Sequence, residues 1–337
     1  MHERRVSSEW TRIALLRAAL GGRADARVLV GIGDDAAVLA PGVAPLVWTV
    51  DASVEGVHFR RGLLSLADVG YRATMAAASD LAAMGAAPLG LLAALVLPPW
   101  ITDADLAEIA AGQREAADAL GTAVIGGNLA RGAELSITTT ALGSAARPLT
   151  RAGARSGDAI WMAGPVGLAA AGLAWLLRGE AVESAPETSA PEASAPAVVA
   201  PAVSAWRRPR ARIVEGMRAA SHAGARAAID VSDGLAADVG HLARASGVRA
   251  VLDEAALTGP ELVAVGLALG RQPLELALSG GEDYALVVVL SPGERLEGFT
   301  RIGDVEPLPF DAAVHVALRR RDGAVTALDA RGFDHFG

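Results

Sequence analysis

Residues 227–245 read AAIDVSDGLAADVGHLARA, and this stretch decides the fold. Ala227 to Val231 is a short apolar run that reads as a strand. Ser232-Asp233-Gly234 turns the chain, and a helix then runs through Ala245, with Ser232 or Asp233 as its natural N-cap. A strand feeding straight into a helix is the building unit of α/β architecture. The same unit recurs outward in both directions. Upstream, Asp158 to Met162 is a strand leading to a helix, and Ala285 to Leu290 is an apolar strand downstream. In the N-terminal half, Leu46 to Val50 reads as a strand and Ala67 to Ala83 as an Ala-rich helix. Thr102 caps a helix carrying Asp105 three residues on and stopping at Gly121. Thr122 to Ile125 forms a strand ending in the turn Gly126-Gly127-Asn128, and Leu135 to Leu142 is a further β-rich run. Alternation in both halves predicts a two-domain α+β or α/β protein, with an N-terminal domain over 1–146 and a C-terminal α/β domain over 147–337.

Six segments place carboxylates among small apolar residues: Gly33-Asp34-Asp35, Val50-Asp51, Ser79-Asp80, Asp230-Val231-Ser232-Asp233, Gly280-Gly281-Glu282-Asp283 and, more weakly, Gly303-Asp304. Carboxylates in such surroundings need a counter-charge. If the fold gathers them, a divalent cation supplies it, and Mg²⁺ held by oxygen ligands usually holds phosphate as well. All 30 basic residues are arginines, so the phosphate-binding lysine of a P-loop or a protein kinase is excluded.

Composition narrows the field further. At 337 residues and 52% hydrophobic content the chain can bury a large core, and a net charge of −8 argues against nucleic acid as the main partner. Zero cysteines exclude disulfides, thiolate chemistry and Cys-based zinc sites. The six histidines show no HExxH spacing, and there is no GxSxG elbow. The N-terminal residues lack the apolar run of a signal peptide, which leads us to expect a cytoplasmic protein. Ala159 to Leu177 is uncharged and long enough to approach a bilayer span, but Gly164-Pro165 breaks it, so a strand, a turn and a helix closing at Arg178-Gly179 are expected instead of a membrane helix.

Glu180 to Ala205 is built almost wholly of Ala, Pro, Ser, Glu and Val, with Pro186, Pro191, Pro196 and Pro201 recurring every five residues. This composition reads as a disordered Pro/Ala-rich insert over 180–205 without chemistry of its own. The Arg cluster from Trp206 to Arg212 reads as a solvated element end.

Among single residues, Asp34 and Asp35 follow the strand-like Val28-Leu29-Val30, where a capped turn is the simpler account. Asp51 alone is an ordinary strand-end carboxylate. Asp80 lies in a helix with almost no polar face, which favours a metal or a buried hydrogen-bond role. Capping could explain one of Asp230, Ser232 and Asp233 but does not need all three, and the helix start adds N–H groups suited to phosphate. His58 is the one histidine embedded in these segments.

Taken in order, Gly31-Ile32-Gly33-Asp34-Asp35, Asp51 with Glu55-Gly56-Val57-His58-Phe59, Ser79-Asp80-Leu81-Ala82-Ala83-Met84-Gly85, Gly126-Gly127-Asn128, Arg151-Ala152-Gly153, Asp230-Val231-Ser232-Asp233-Gly234, Ser279-Gly280-Gly281-Glu282-Asp283-Tyr284 and Gly332-Phe333-Asp334 resemble the thiamine-monophosphate kinase family. The resemblance implies a fold shared with aminoimidazole ribonucleotide synthetase, selenophosphate synthetase and a hydrogenase maturation factor. It also implies a homodimer whose N-terminal domains pair through β-structure, and the use of ATP and Mg²⁺ to phosphorylate thiamine monophosphate. The latter two relatives rely on a cysteine or selenocysteine, which this chain lacks. Carried over by position, Asp34, Asp35, Thr49, Asp51, Asp80, Asn128, Asp230 and Asp233 would hold metal. Gly127, Asn128, Arg151 and Ser232 would contact ATP, while His58, Glu282 and Phe333 would line the thiamine phosphate site. The family usually has Asp where Asn128 stands, and a hydroxyl residue where Val50 stands.

The chemistry suits that inventory. An acceptor phosphate is already ionised near neutral pH, so no dedicated base is needed and the barrier lies in aligning two polyanions. Two rival readings remain at this level: another ATP-dependent synthetase of the superfamily, or a two-metal phosphohydrolase.

Overall fold

The computed structural model describes residues 9–20, 27–30, 32, 38–180, 195–309, 314–328 and 330. The chain divides into two compact units between Ala146 and Arg147, with the short segment Ala82–Ala86 belonging to the second.

The first unit contains α1 (Glu9–Leu20), β1 (Val28–Val30), β2 (Val38–Leu39), β3 (Leu46–Val54), most of α2 (Leu66–Ala83), β4 (Ala87–Leu97), α3 (Asp103–Leu120), β5 (Val124–Arg131) and β6 (Ser136–Ser144). Its four-stranded sheet runs β3-β6-β4-β5. The β4 and β5 strands are parallel and are joined through α3. Thr102 and Asp105 form a reciprocal capping box at the start of α3, and Gly121 ends the helix in the left-handed conformation. Along β6 buried and part-exposed residues alternate without a break, so one face of the sheet is core and the other is not. The α2 helix crosses α3 so closely that a Cβ on Gly112 would lie 1.8 Å from the Ala67 carbonyl.

Gly126-Gly127-Asn128 is not a turn after a strand, because β5 continues through it to Arg131. A Cβ on Gly127 would fall 1.9 Å from the Ala93 oxygen. The glycine lets the edge strand close onto β4.

The second unit contains β7 (Ala159–Ala163), α4 (Leu168–Glu180), α5 (Ala200–Arg207), α6 (Ile213–Ser221), β8 (Ala225–Val231), α7 (Leu235–Ser246), β9 (Val248–Asp253), α8 (Glu254–Leu257), α9 (Pro260–Leu269), α10 (Pro273–Ser279), β10 (Ala285–Leu290), β11 (Thr300–Pro307), β12 (Val316–Arg319) and β13 (Val325–Ala327). They build a seven-stranded sheet, β13-β12-β9-β11-β7-β10-β8, antiparallel except for β12 against β9. Every residue of β10 is buried, because apolar clusters cover both faces of the sheet. The stretch from Ala159 is therefore a strand, a turn and a helix. Among the described residues no single helix is long and apolar enough to cross a membrane.

Two sequence expectations need correction in this unit. The Pro/Ala-rich insert is not structureless to its end: Ala200–Arg207 forms α5, with Pro201 in its first turn, where a missing N–H costs nothing, and with Val199, Ala202 and Val203 buried. The helix packs along α4. Residues 181–194 lie outside the described part. The Arg cluster is a solvated end only in part: Arg210 is exposed, whereas Trp206 is 1% exposed and the Arg212 side chain is 15% exposed, 3.9 Å from Glu215.

Candidate active site

In the first unit the site residues gather where β3 meets α2. Thr49 and the exposed Asp51 share the β3 face of buried Val47, and the Thr49 hydroxyl donates to the Asp80 carboxylate on α2. Asp51 also accepts from the Ala52 N–H at 2.8 Å. Its row across the sheet is Asp51, Thr139, Ala93 and Gly127. The Thr139 hydroxyl is buried with no partner among the described residues. Hydroxyl and carboxylate oxygens with no basic side chain in their row form a set suited to a hard cation. Asn128 lies one residue out of step, in the row Ala52, Thr138 and Ala94, so strand alternation sends it to the opposite sheet face from Thr49 and Asp51.

His58 sits in the turn after β3. Its Nδ1 accepts from the Val54 N–H at 3.1 Å, so in the neutral ring the proton is on Nε2, which becomes a donor. Glu55 pins this turn by pairing with Arg61 and accepting from the Leu135 N–H at 3.3 Å, while the Arg61 guanidinium lies 4.1 Å above the Trp100 ring.

In the second unit Asp230 stands near the end of β8, and the turn after it carries Ser232 and Asp233. Neither Ser232 nor Asp233 caps α7. Gly234 is the N-cap, at φ 120, without a side-chain cap. Asp238, one turn into the helix, reaches back and accepts from the N–H groups of both Ser232 and Asp233 at 3.1 Å. That leaves the Ser232 and Asp233 side chains out of the capping role. Burial pushes the Asp238 carboxyl up to about 7, the nearby charges of Asp230 and Asp233 add to the rise, and the two backbone N–H groups oppose it. The charges of Asp230 and Asp233 thus bear on Asp238, and the segment concentrates three acids. Arg151 is exposed beside the end of α7, where the Ser246 hydroxyl donates to its carbonyl at 3.1 Å. His241 on α7 feels both Arg151 and Asp233, although burial is what chiefly lowers its pKa.

Glu282 lies on the turn before β10 with φ 66, and Tyr284 follows with φ 50. Non-glycine residues in that region need a surrounding that over-determines them. The Glu282 N–H donates to the Ser232 carbonyl at 2.7 Å and the Tyr284 N–H to the Val231 carbonyl at 2.8 Å, while a Cβ on Gly281 would come within 2.5 Å of the Ser232 oxygen. The turn is thus pressed onto the Asp230–Asp233 turn. Asp283, 8% exposed, accepts from the Gly167 N–H at 2.6 Å and the Ala169 N–H at 2.9 Å, so it caps α4.

The weak sixth segment has a structural explanation, because Asp304 is ion-paired with Arg301 and Arg319. Asp34, Asp35 and Phe333 lie outside the described residues. Among the described residues no three His, Asp or Glu side chains already stand in a metal-binding group. Sequence reasoning missed Asp238, Thr139 and Trp206, whose Nε1–H donates to Glu282 Oε2 at 2.9 Å. Asp238 had a visible signal, an acid one helical turn past a Ser-Asp-Gly turn.

Comparison with known proteins places the fold in a family. Residues 33–145 match the AIR synthase related protein N-terminal domain and residues 155–313 the corresponding C-terminal domain. Thiamine-monophosphate kinase of Escherichia coli K12 is 35% identical over 92% of both chains, and that of Mycobacterium tuberculosis H37Rv is 35% identical over 80% of this chain and 78% of its own. The solved structure of AaThiL complexed with AMPPCP and TMP aligns over 97% of both chains, at 30% identity and a TM-score of 0.76. With carboxylate-rich turns in both units and this similarity along nearly its whole length, the chain belongs to the thiamine-monophosphate kinase family, built from AIR synthase related domains.

Proposed function

We propose that this protein transfers the γ-phosphoryl group of ATP to the phosphate of thiamine monophosphate, giving ADP and thiamine diphosphate. The observation that carries the reading is the Asp230-Val231-Ser232-Asp233 turn, braced by Asp238 and set at the start of α7, in a chain 35% identical to kinases of that name. A helix start offers N–H groups to phosphate, and its acids offer oxygens to the accompanying cation.

In this reading Thr49, Asp51 and Asp80 in one unit, and Asp230 and Asp233 in the other, would hold Mg²⁺. Asp34 and Asp35 join them on the resemblance, whereas Asn128, on the opposite sheet face from Thr49 and Asp51, does not. Bound Mg²⁺ supplies charge neutralisation for the transferring phosphates. The protein's own groups position the reactants. Ser232 and Arg151 bind ATP phosphates, with Gly127 and Asn128 assigned to the nucleotide on the resemblance. The Nε2–H of His58 donates to the acceptor phosphate, and Glu282 receives a donor from the thiamine ring system, which Phe333 stacks upon. No residue needs to remove a proton, because the acceptor oxygen is already ionised at neutral pH.

We place the reaction in the cytoplasm, where ATP is available, and assign the protein a homodimeric state. Leu46, Trp48 and Val50 on the outer face of β3 are 61%, 71% and 62% exposed, an apolar stripe that a second copy covers.

The test is acceptor-dependent ADP formation. Thiamine monophosphate should stimulate ADP release by the purified protein with ATP and Mg²⁺, and unphosphorylated thiamine should not. Steady phosphate release without any acceptor would instead identify a phosphohydrolase.

A further inference from the structure

We infer that Trp206, at the end of α5, is a positioning residue for the substrate-facing carboxylate of Glu282. The inference rests on the assignment of Glu282 to the thiamine phosphate site. The Trp206 side chain is among the largest fully buried ones, and its Nε1–H donates to Glu282 Oε2 at 2.9 Å. Indole can only donate, so the bond selects one orientation of the carboxylate and is stronger for the ionised acceptor.

The backbone around Glu282 shows why such a constraint matters. Glu282 and Tyr284 both hold left-handed φ values, fixed by N–H bonds to the Ser232 and Val231 carbonyls. These bonds fix where the Glu282 backbone sits, whereas its side chain retains three rotatable bonds. The indole takes up part of that freedom. Adjacent carboxylates of one turn are therefore tied to different helices, Asp283 to the start of α4 and Glu282 to the end of α5. Most of the α5 helix lies within the Pro/Ala-rich stretch whose composition reads as having no chemistry of its own. Its apolar residues Ala202 and Val203 are buried, so it carries the indole on a packed element. The site thereby gains a pre-oriented acceptor for a cationic ring substrate that donates hydrogen bonds, at no cost in ordering when the substrate binds.

The test is the kinetic split in Trp206→Phe, which keeps an aromatic ring in the core and removes the donor. Losing one charge-assisted hydrogen bond that orients a substrate contact should raise KM for thiamine monophosphate roughly tenfold. The KM for ATP and kcat should stay within about twofold, since the indole hydrogen bond goes to Glu282, which is assigned to the thiamine phosphate site. Glu282→Asp, which keeps the charge but shortens the reach to the indole, should give the same selective defect. Adding Trp206→Phe to Glu282→Ala should change nothing further.

Wild-type kinetics in Trp206→Phe would overturn the inference. So would a proportional loss in kcat, in both KM values and in thermal stability, which is what a packing role alone produces. If Trp206→Phe fails to fold, an unaltered KM in Glu282→Asp overturns it instead. Glu282→Ala with an unaltered KM for thiamine monophosphate would remove Glu282 from the substrate site, and the inference with it. Wild-type protein inert toward thiamine monophosphate would instead defeat the functional reading itself.

Discussion

Asp283→Asn tests the anchoring of the Glu282 turn through its dependence on pH. Asp283 is 8% exposed and caps α4 through Gly167 and Ala169. Burial pushes its carboxyl up to about 7 from the ordinary 3.8, against the pull of the two N–H groups. Between those values the folded chain keeps a proton that the unfolded chain has released. The contribution to stability is therefore complete below about pH 4 and is lost as pH rises through about 7. The slope is about 1.4 kcal/mol per pH unit, or about 3 kcal/mol between pH 5 and pH 8. Asparagine has nearly the shape of the neutral acid and does not titrate. Thermal melts of wild type and variant at matched pH should therefore show the variant gaining on wild type by roughly 4 °C from pH 5 to pH 8. A difference that stays constant, or that widens in favour of wild type, would show that the helix N–H groups keep Asp283 ionised and would refute the reasoning.

Further outcomes follow from the same geometry. Asp80→Asn keeps an oxygen for the Thr49 hydroxyl but removes the charge, so kcat should fall by about 10²-fold or more while the melting temperature moves little; equal loss of both would make Asp80 structural. Gly127→Ala forces a methyl against the Ala93 carbonyl and should destabilise by about 1–3 kcal/mol, read from denaturant midpoints. Trp48→Glu should shift the protein from dimer to monomer in light scattering, and an unchanged dimer would move the interface off the β3 face.

Much of the fold was legible because local signals and tertiary demands agree. The capping box at Thr102 and Asp105, the glycine stop at Gly121 and the apolar run of β10 depend on neighbours a few residues away. Legibility fails where the deciding contact is distant or steric. The Pro-rich composition before Trp206 conceals a helix that exists because α4 offers it an apolar face. Gly127 looks like a turn glycine, yet the constraint is the Ala93 carbonyl on the neighbouring strand. In the site, the acids of the Asp230–Asp233 turn were readable as a set. Their bracing by Asp238, and of Glu282 by Trp206, was not, since it needs the turn's path in space.

The central claim is that phosphate passes from ATP to thiamine monophosphate with Mg²⁺ held by these acidic turns. Label on the γ-phosphate of ATP tests it most directly, followed during turnover with thiamine monophosphate, with and without excess chelator. The account predicts that label appears in thiamine diphosphate one for one with ADP, that little appears as free phosphate, and that chelation stops the transfer. Label recovered as inorganic phosphate, or transfer undiminished in chelator, would contradict it.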